Sequence, residues 1–225
     1  MPRASLKKKR PPEPKREVTR RRVLERALKL FQQRGIDATT MRDIAKAAGL
    51  SLGAAYYYFP SKDALIFALY EDNQRELEDL AARATGTARE RLGTIFHGKL
   101  EGIRPHRKMI GLIVARLVDP GDPLSTFSQQ TRAVRERSIA VLRDALVDVP
   151  PAIVPLAANA LWLLLLALML IYINDHSPGE KRTHGLVDDA LDMLVPMLPL
   201  LATPMGNALV ERVTKALARA DIDLG

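Results

Sequence analysis

The sequence predicts an all-α fold of about nine or ten helices, and three observations carry that prediction. Apolar residues recur at spacings of three and four along most of the chain, and no segment shows the alternation of a strand. Ser and Thr stand at the heads of several of these segments, where their side chains satisfy free backbone N–H groups. Glycine or proline closes many of them. With 225 residues the chain has room for a small N-terminal domain and a larger second one.

Residues 1–17 contain Pro2, Pro11, Pro12 and Pro14 and few apolar side chains, which predicts a disordered, basic, proline-rich tail. The chain has 34 Lys and Arg against 26 Asp and Glu, a net charge of +8. Residues 1–22 alone hold ten of the bases and two of the acids, so residues 23–225 carry 24 of each. The positive excess therefore belongs to the tail. Such a tail either reaches along DNA as an arm or only strengthens non-specific attachment. Both readings imply steep salt dependence, with a slope of about −0.9 for each neutralised phosphate.

A first helix is expected over residues 18–34, capped by Thr19, buried through Val23, Leu24, Ala27, Leu28, Leu30 and Phe31, and ended by Gly35. Thr40 and Asp43 then form a capping-box signature for a helix over residues 41–48, with Met41, Ile44, Ala45 and Ala48 on one face. Gly49 suits a left-handed C-cap, and Ser51 caps the next helix, from Leu52 to about Phe59. Two short helices about two residues apart make a helix-turn-helix. The second begins with Gly53, Ala54 and Ala55, small enough to let a helix end sit deep in a major groove. Tyr56 and Tyr57 follow, with hydroxyls able to bond phosphates. Pro60 stops that helix, Ser61 caps the one after it, and Lys62 in its first turn opposes the helix dipole, a placement that a DNA phosphate would reward.

Over residues 23–65 the chain resembles the DNA-binding domain of the TetR/AcrR family of bacterial transcriptional regulators. The likeness rests on Ala27, Phe31, Gly35, Thr39, Thr40, Ile44, Ala45, Gly49, Tyr56, Tyr58, Phe59, Lys62 and Leu65. It implies phosphate contacts from Thr40, Tyr56 and Lys62, and places Arg42, Leu52, Gly53, Ala54 and Tyr57, with Ser51 at the head of the reader helix, against bases or the groove wall. Leu52 and Ala54 offer only apolar contact, which suits thymine methyl groups, and Arg42 is the expected guanine reader. The resemblance further implies a domain at residues 18–65 for DNA, a connecting helix at 66–83, and a ligand-binding and dimerisation domain at 84–225. Homodimerisation through residues 152–174 and 183–200 is expected, as is release from a palindromic operator by a small, apolar effector. Repression is the commoner role in that family. The alternative is a constitutive or architectural DNA-binding protein without an effector.

In the remaining chain the distal half of the helix opened by Ser61 is charged and suits a solvated connector. Thr87 and Glu90 repeat the capping-box pattern ahead of Leu92, Ile95 and Phe96. Pro105 interrupts, residues 106–118 resume, and residues 119–123 read as a loop. A long amphipathic helix is expected over 125–146, an apolar helix over 152–174, and a polar loop over 175–182. Thr183 is expected to cap a further helix that weakens near Pro196 and Pro199, and Thr203 with Pro204 opens a last one. Candidate effector-contacting residues are Phe96, His97, Met109, Ile113, Arg116, Phe127, Trp162, Met169 and Tyr172, with His97 or Arg116 orienting a polar end.

Other function classes find little support. The absence of cysteine excludes disulfides and fits a reducing cytoplasm. The apolar run at 160–173 is 14 residues, short of the roughly 20 that a membrane span needs, so no membrane is expected. Gly49-Leu50-Ser51-Leu52-Gly53 spells a nucleophile elbow, but that elbow needs a strand entering it, and here a helix enters. His97, His106, His176 and His184 lack metal-ligand spacing, and neither cofactor nor catalysis is expected.

Overall fold

The computed structural model describes residues 14–119 and 121–219, and the chain divides into two compact units, Met1–Leu65 and Ile66–Gly225. Among the described residues there is no strand; there are ten α-helices of seven or more residues and one of four.

In the first unit, α1 (Lys15–Arg34) buries Val23, Leu24, Ala27, Leu28, Leu30 and Phe31, the stripe that the spacing predicts. It ends at Gly35, whose φ of +85° is open to glycine and whose N–H donates to the Phe31 carbonyl. The start differs from expectation. Residues 15–17, expected in the tail, form the first turn, and Thr19 caps nothing because its hydroxyl donates to the Lys15 carbonyl at 2.9 Å. Pro14 heads the helix instead, a residue whose carbonyl accepts from the N–H groups of Glu17 and Val18. The expected disorder of residues 1–13 lies outside the described residues. Two short helices, α2 (Met41–Ala48) and α3 (Leu52–Tyr58), pack against α1.

In the second unit the helices are α4 (Lys62–Arg83, from Ile66 onward), α5 (Ala88–Ile103), α6 (Arg107–Val118), α7 (Arg132–Ala145), α8 (Val154–Asn174), α9 (Lys181–Leu194), α10 (Leu198–Leu201) and α11 (Pro204–Arg219). α8 is the central element, packed against α5, α6, α7 and α9. It buries Ala157, Ala158, Leu161, Trp162, Leu165, Leu168 and Tyr172, while Leu163, Leu170 and Ile171 on its other side are exposed. It is also long and apolar enough to cross a membrane, as core helices often are.

Three expectations fail here, each for a local reason. The distal half of α4 is not a solvated connector: Leu77 and Gln74 are buried, and Arg137 of α7 reaches across to Glu71 and Glu78 at 2.8 Å each. The helix expected over 125–146 starts only at Arg132. Before it, hydroxyls bond the backbone in place of a helical ladder: Thr131 Oγ1 donates to the Ser125 carbonyl at 2.6 Å, and the Ser125 and Ser128 oxygens accept from the Phe127 and Thr131 N–H groups. Thr183 does not cap α9 either. It lies buried in the first turn, and both its N–H and its hydroxyl donate to Asp175, at 2.9 and 2.8 Å.

Asp175 also accepts from the Ser177 N–H at 2.8 Å, and hydrogen bonding from Ser177 first and Thr183 second holds its carboxyl well below the usual carboxylate range. A folded-state value depressed in this way gives stability that is present above the ordinary 3.8 and is lost as pH falls below it. Melting curves of the wild type are expected to drop steeply in that acid window, and those of Asp175→Asn to start lower and drop less. A variant with the wild-type acid slope would remove Asp175 from the account.

At the far end Thr203 Oγ1 accepts from the Gly206 N–H at 3.3 Å, so α11 starts where the sequence places it. Only glycine fits there, because a Cβ on Gly206 would lie 2.4 Å from the Leu200 carbonyl oxygen.

Candidate nucleic-acid interface

The geometry of α2 and α3 follows from four local signals. Thr40 Oγ1 accepts from the Asp43 N–H at 3.2 Å while Asp43 accepts from the Thr40 N–H at 3.0 Å, which closes both ends of a capping box. That hydrogen bonding keeps the Asp43 carboxyl below its ordinary value, with Arg34 and Lys46 adding to the effect. Gly49 adopts the left-handed conformation at φ 67°, and the Leu50 N–H donates back to the Ala45 carbonyl at 2.9 Å. Ser51 accepts from the Ala54 N–H at 3.2 Å and so heads α3. With a helix entering and a cap role filled, Ser51 has no elbow geometry.

This arrangement leaves most of the expected contact residues accessible. Thr40, Arg42, Ser51, Gly53, Tyr56 and Tyr57 are exposed, and Leu52, Ala54 and Lys62 are partly exposed. Tyr57 is 67 % and Tyr56 46 % exposed, whereas Phe59 and Ala55 are buried and hold the other side of α3. The Tyr57 ring meets Tyr58 edge to face at 5.3 Å. Lys62 is already engaged: its ammonium donates to the Ile36 carbonyl at 2.7 Å, which fixes it near the loop before α2 and leaves further N–H groups available. Absent from the sequence-derived set is Arg16, whose guanidinium lies 5.6 Å from the Tyr57 ring centre. Arg20 lies 4.9 Å from the Phe59 ring. A run of basic residues shows that charge is present, but not which arginine meets which ring.

The family model for bacterial regulatory proteins of the tetR family matches residues 23–69, which span α2, α3 and Lys62 but not Arg16 or Arg20. That stretch matches the DNA-binding region of tetR-family regulators. The regulator AcrR of Shigella flexneri is 46 % identical over 63 residues, covering 27 % of this chain and 29 % of that protein. The repressor KstR2 of Mycobacterium tuberculosis is 33 % identical over 95 residues, covering 39 % and 46 %. These matches span less than half the length of either relative. A TetR regulator from Nitrosomonas europaea shares the fold, with a TM-score of 0.64 at 20 % identity over 78 % of this chain and 97 % of that one.

The second unit holds a partly open cavity of about 130 Å³. Ile113, Trp162 and Met169 line it, together with Leu69 and Leu77 of α4 and Leu165 of α8. Phe127 meets the Trp162 ring edge to face at 5.8 Å but is itself 54 % exposed. The remaining candidates lie elsewhere. Phe96, Met109 and Tyr172 are fully buried outside the lining. His97 shares a ring hydrogen bond of 2.7 Å with His184 and meets Asp188 at 3.1 Å, and Arg116 pairs with Asp122 at 2.6 Å. The cations that do line the cavity are Lys99 and Arg135, neither of which the sequence marks.

Proposed function

We propose that the protein is a homodimeric transcriptional repressor of the cytoplasm, soluble and without catalysis, which binds a two-fold operator and releases it when a small molecule fills the cavity. The observation that carries the DNA half is the capped α2–α3 pair, with Arg42, Tyr56 and Tyr57 all exposed. Thr40, Tyr56 and Lys62 are the phosphate contacts, and the head of α3 (Ser51, Leu52, Gly53, Ala54) with Arg42 and Tyr57 reads the major groove. The dimer is supported by the exposed apolar stripe of α8 (Leu163, Leu170, Ile171) and by Leu186 and Met193 on α9. Two reader heads on a two-fold axis meet successive major grooves about 34–36 Å apart. For release, the ligand must bind more tightly to the conformation whose heads no longer match that spacing.

The test begins with a footprint on DNA flanking the coding region, then measures labelled-operator anisotropy against salt. Lys62→Ala and Tyr56→Phe are each expected to weaken operator binding about tenfold, as loss of a hydrogen bond to a charged group implies. Lys62→Ala should also lower the salt slope by about one, with the dimer intact by sedimentation. Unchanged affinity in both variants would refute the phosphate assignment. An operator complex that no bound ligand dissociates would instead favour a constitutive DNA-binding protein.

A further inference from the structure

The wall of the cavity in the second unit is apolar over Leu69, Ile113, Trp162, Leu165 and Met169, and two cations interrupt it. Lys99 of α5 donates to the Asn73 carbonyl at 3.2 Å, and Arg135 of α7 donates to the Thr126 carbonyl at 2.8 Å. Among the described lining residues there is no carboxylate. Among the described residues the acid that acts on the Lys99 ammonium is Glu76, an exposed side chain outside the lining. Burial has pulled the ammonium down to about 8, so its charge is held at a cost that an arriving anion would offset.

A neutral apolar ligand would leave both cations facing it without a counter-charge, and a cationic one would meet them as like charges. We propose that the ligand of this cavity is a single-chain amphiphile with a carboxylate head, the head on the Lys99 ammonium and the chain along Ile113, Trp162, Leu165 and Met169. This assigns a ligand class to the effector site of the preceding reading and rests on it. It also replaces His97 and Arg116, which are engaged with Asp188 and Asp122, as the groups that orient the polar end.

Trp162 is the sole tryptophan of the chain and lines the cavity, so its emission reports occupancy directly. The full-length protein is titrated with dodecanoate, dodecanol and dodecylammonium, each below its micellar range. Dodecanoate is expected to bind at least about tenfold more tightly than dodecanol, as a charge-assisted hydrogen bond implies, and dodecylammonium to give no saturable change. Lys99→Met is expected to bring dodecanoate down to the affinity of dodecanol, and Lys99→Arg to keep the preference.

Equal binding of dodecanol or dodecylammonium, no saturable response to any of the three, or a preference that survives Lys99→Met overturns the proposal. Should Lys99→Met not fold, the head-group series on the wild type decides alone. Operator anisotropy in parallel separates this from the release mechanism. Lys99-dependent dodecanoate binding that leaves the operator bound sinks release and keeps the ligand class. Operator release by another compound, with dodecanoate inert, does the reverse.

Discussion

Replacing Leu163 and Leu170 together by Asp is expected to give a folded monomer whose operator affinity is lower by a factor of about one hundred or more. Both side chains are exposed, at 47 % and 38 %, so the charges enter water rather than the core of the free subunit. Opposed across a two-fold interface they would meet like charges in an apolar seam. Losing the second reader head removes the gain from linked binding, about 10²–10⁴ for joined modules. Sedimentation gives the mass, circular dichroism the fold, and anisotropy the affinity. A double variant that stays dimeric moves the interface off this face of α8.

The second large effect is expected from Phe31→Ala. Phe31 is fully buried in the first unit, and truncating a buried phenylalanine costs about 3–5 kcal/mol. The fifty or so described residues of this unit correspond to roughly 3–8 kcal/mol in total. The variant should therefore lose operator binding almost completely while the second unit still melts cooperatively and still answers ligand through Trp162. Retained operator affinity would show that the first unit has more stability than its size implies.

The reader motif was legible because every boundary in it is written locally. Thr40 with Asp43, Gly49 and Ser51 each satisfy backbone groups within three or four residues, so sequence spacing and structure coincide there. Thr183 shows the opposite case. Its acceptor, Asp175, is eight residues upstream, and a threonine before a periodic run looks the same whether it caps or is capped. The segment before α7 has helical periodicity too, but Ser125, Ser128 and Thr131 turn their hydroxyls on the backbone, and periodicity does not register that competition.

The cavity was legible only in part. Met and aromatic positions mark helices that bury something, yet Phe96 and Tyr172 face core while Trp162 and Met169 face the cavity. Lys99 is invisible to such reasoning. A lone lysine on an amphipathic helix is ordinarily placed in solvent, and only the structure shows this one donating to the Asn73 carbonyl of α4.

The two sides of α8 carry different residues. Trp162, Leu165, Leu166 and Met169 form part of the cavity wall, and Leu163 and Leu170 are their immediate neighbours on the opposite side of the same helix. In the proposed dimer a ligand on one subunit would therefore sit one helix thickness from the other subunit. The two sites would not fill independently: how many ligands a dimer holds, and not only whether it holds one, would set how sharply the gene responds.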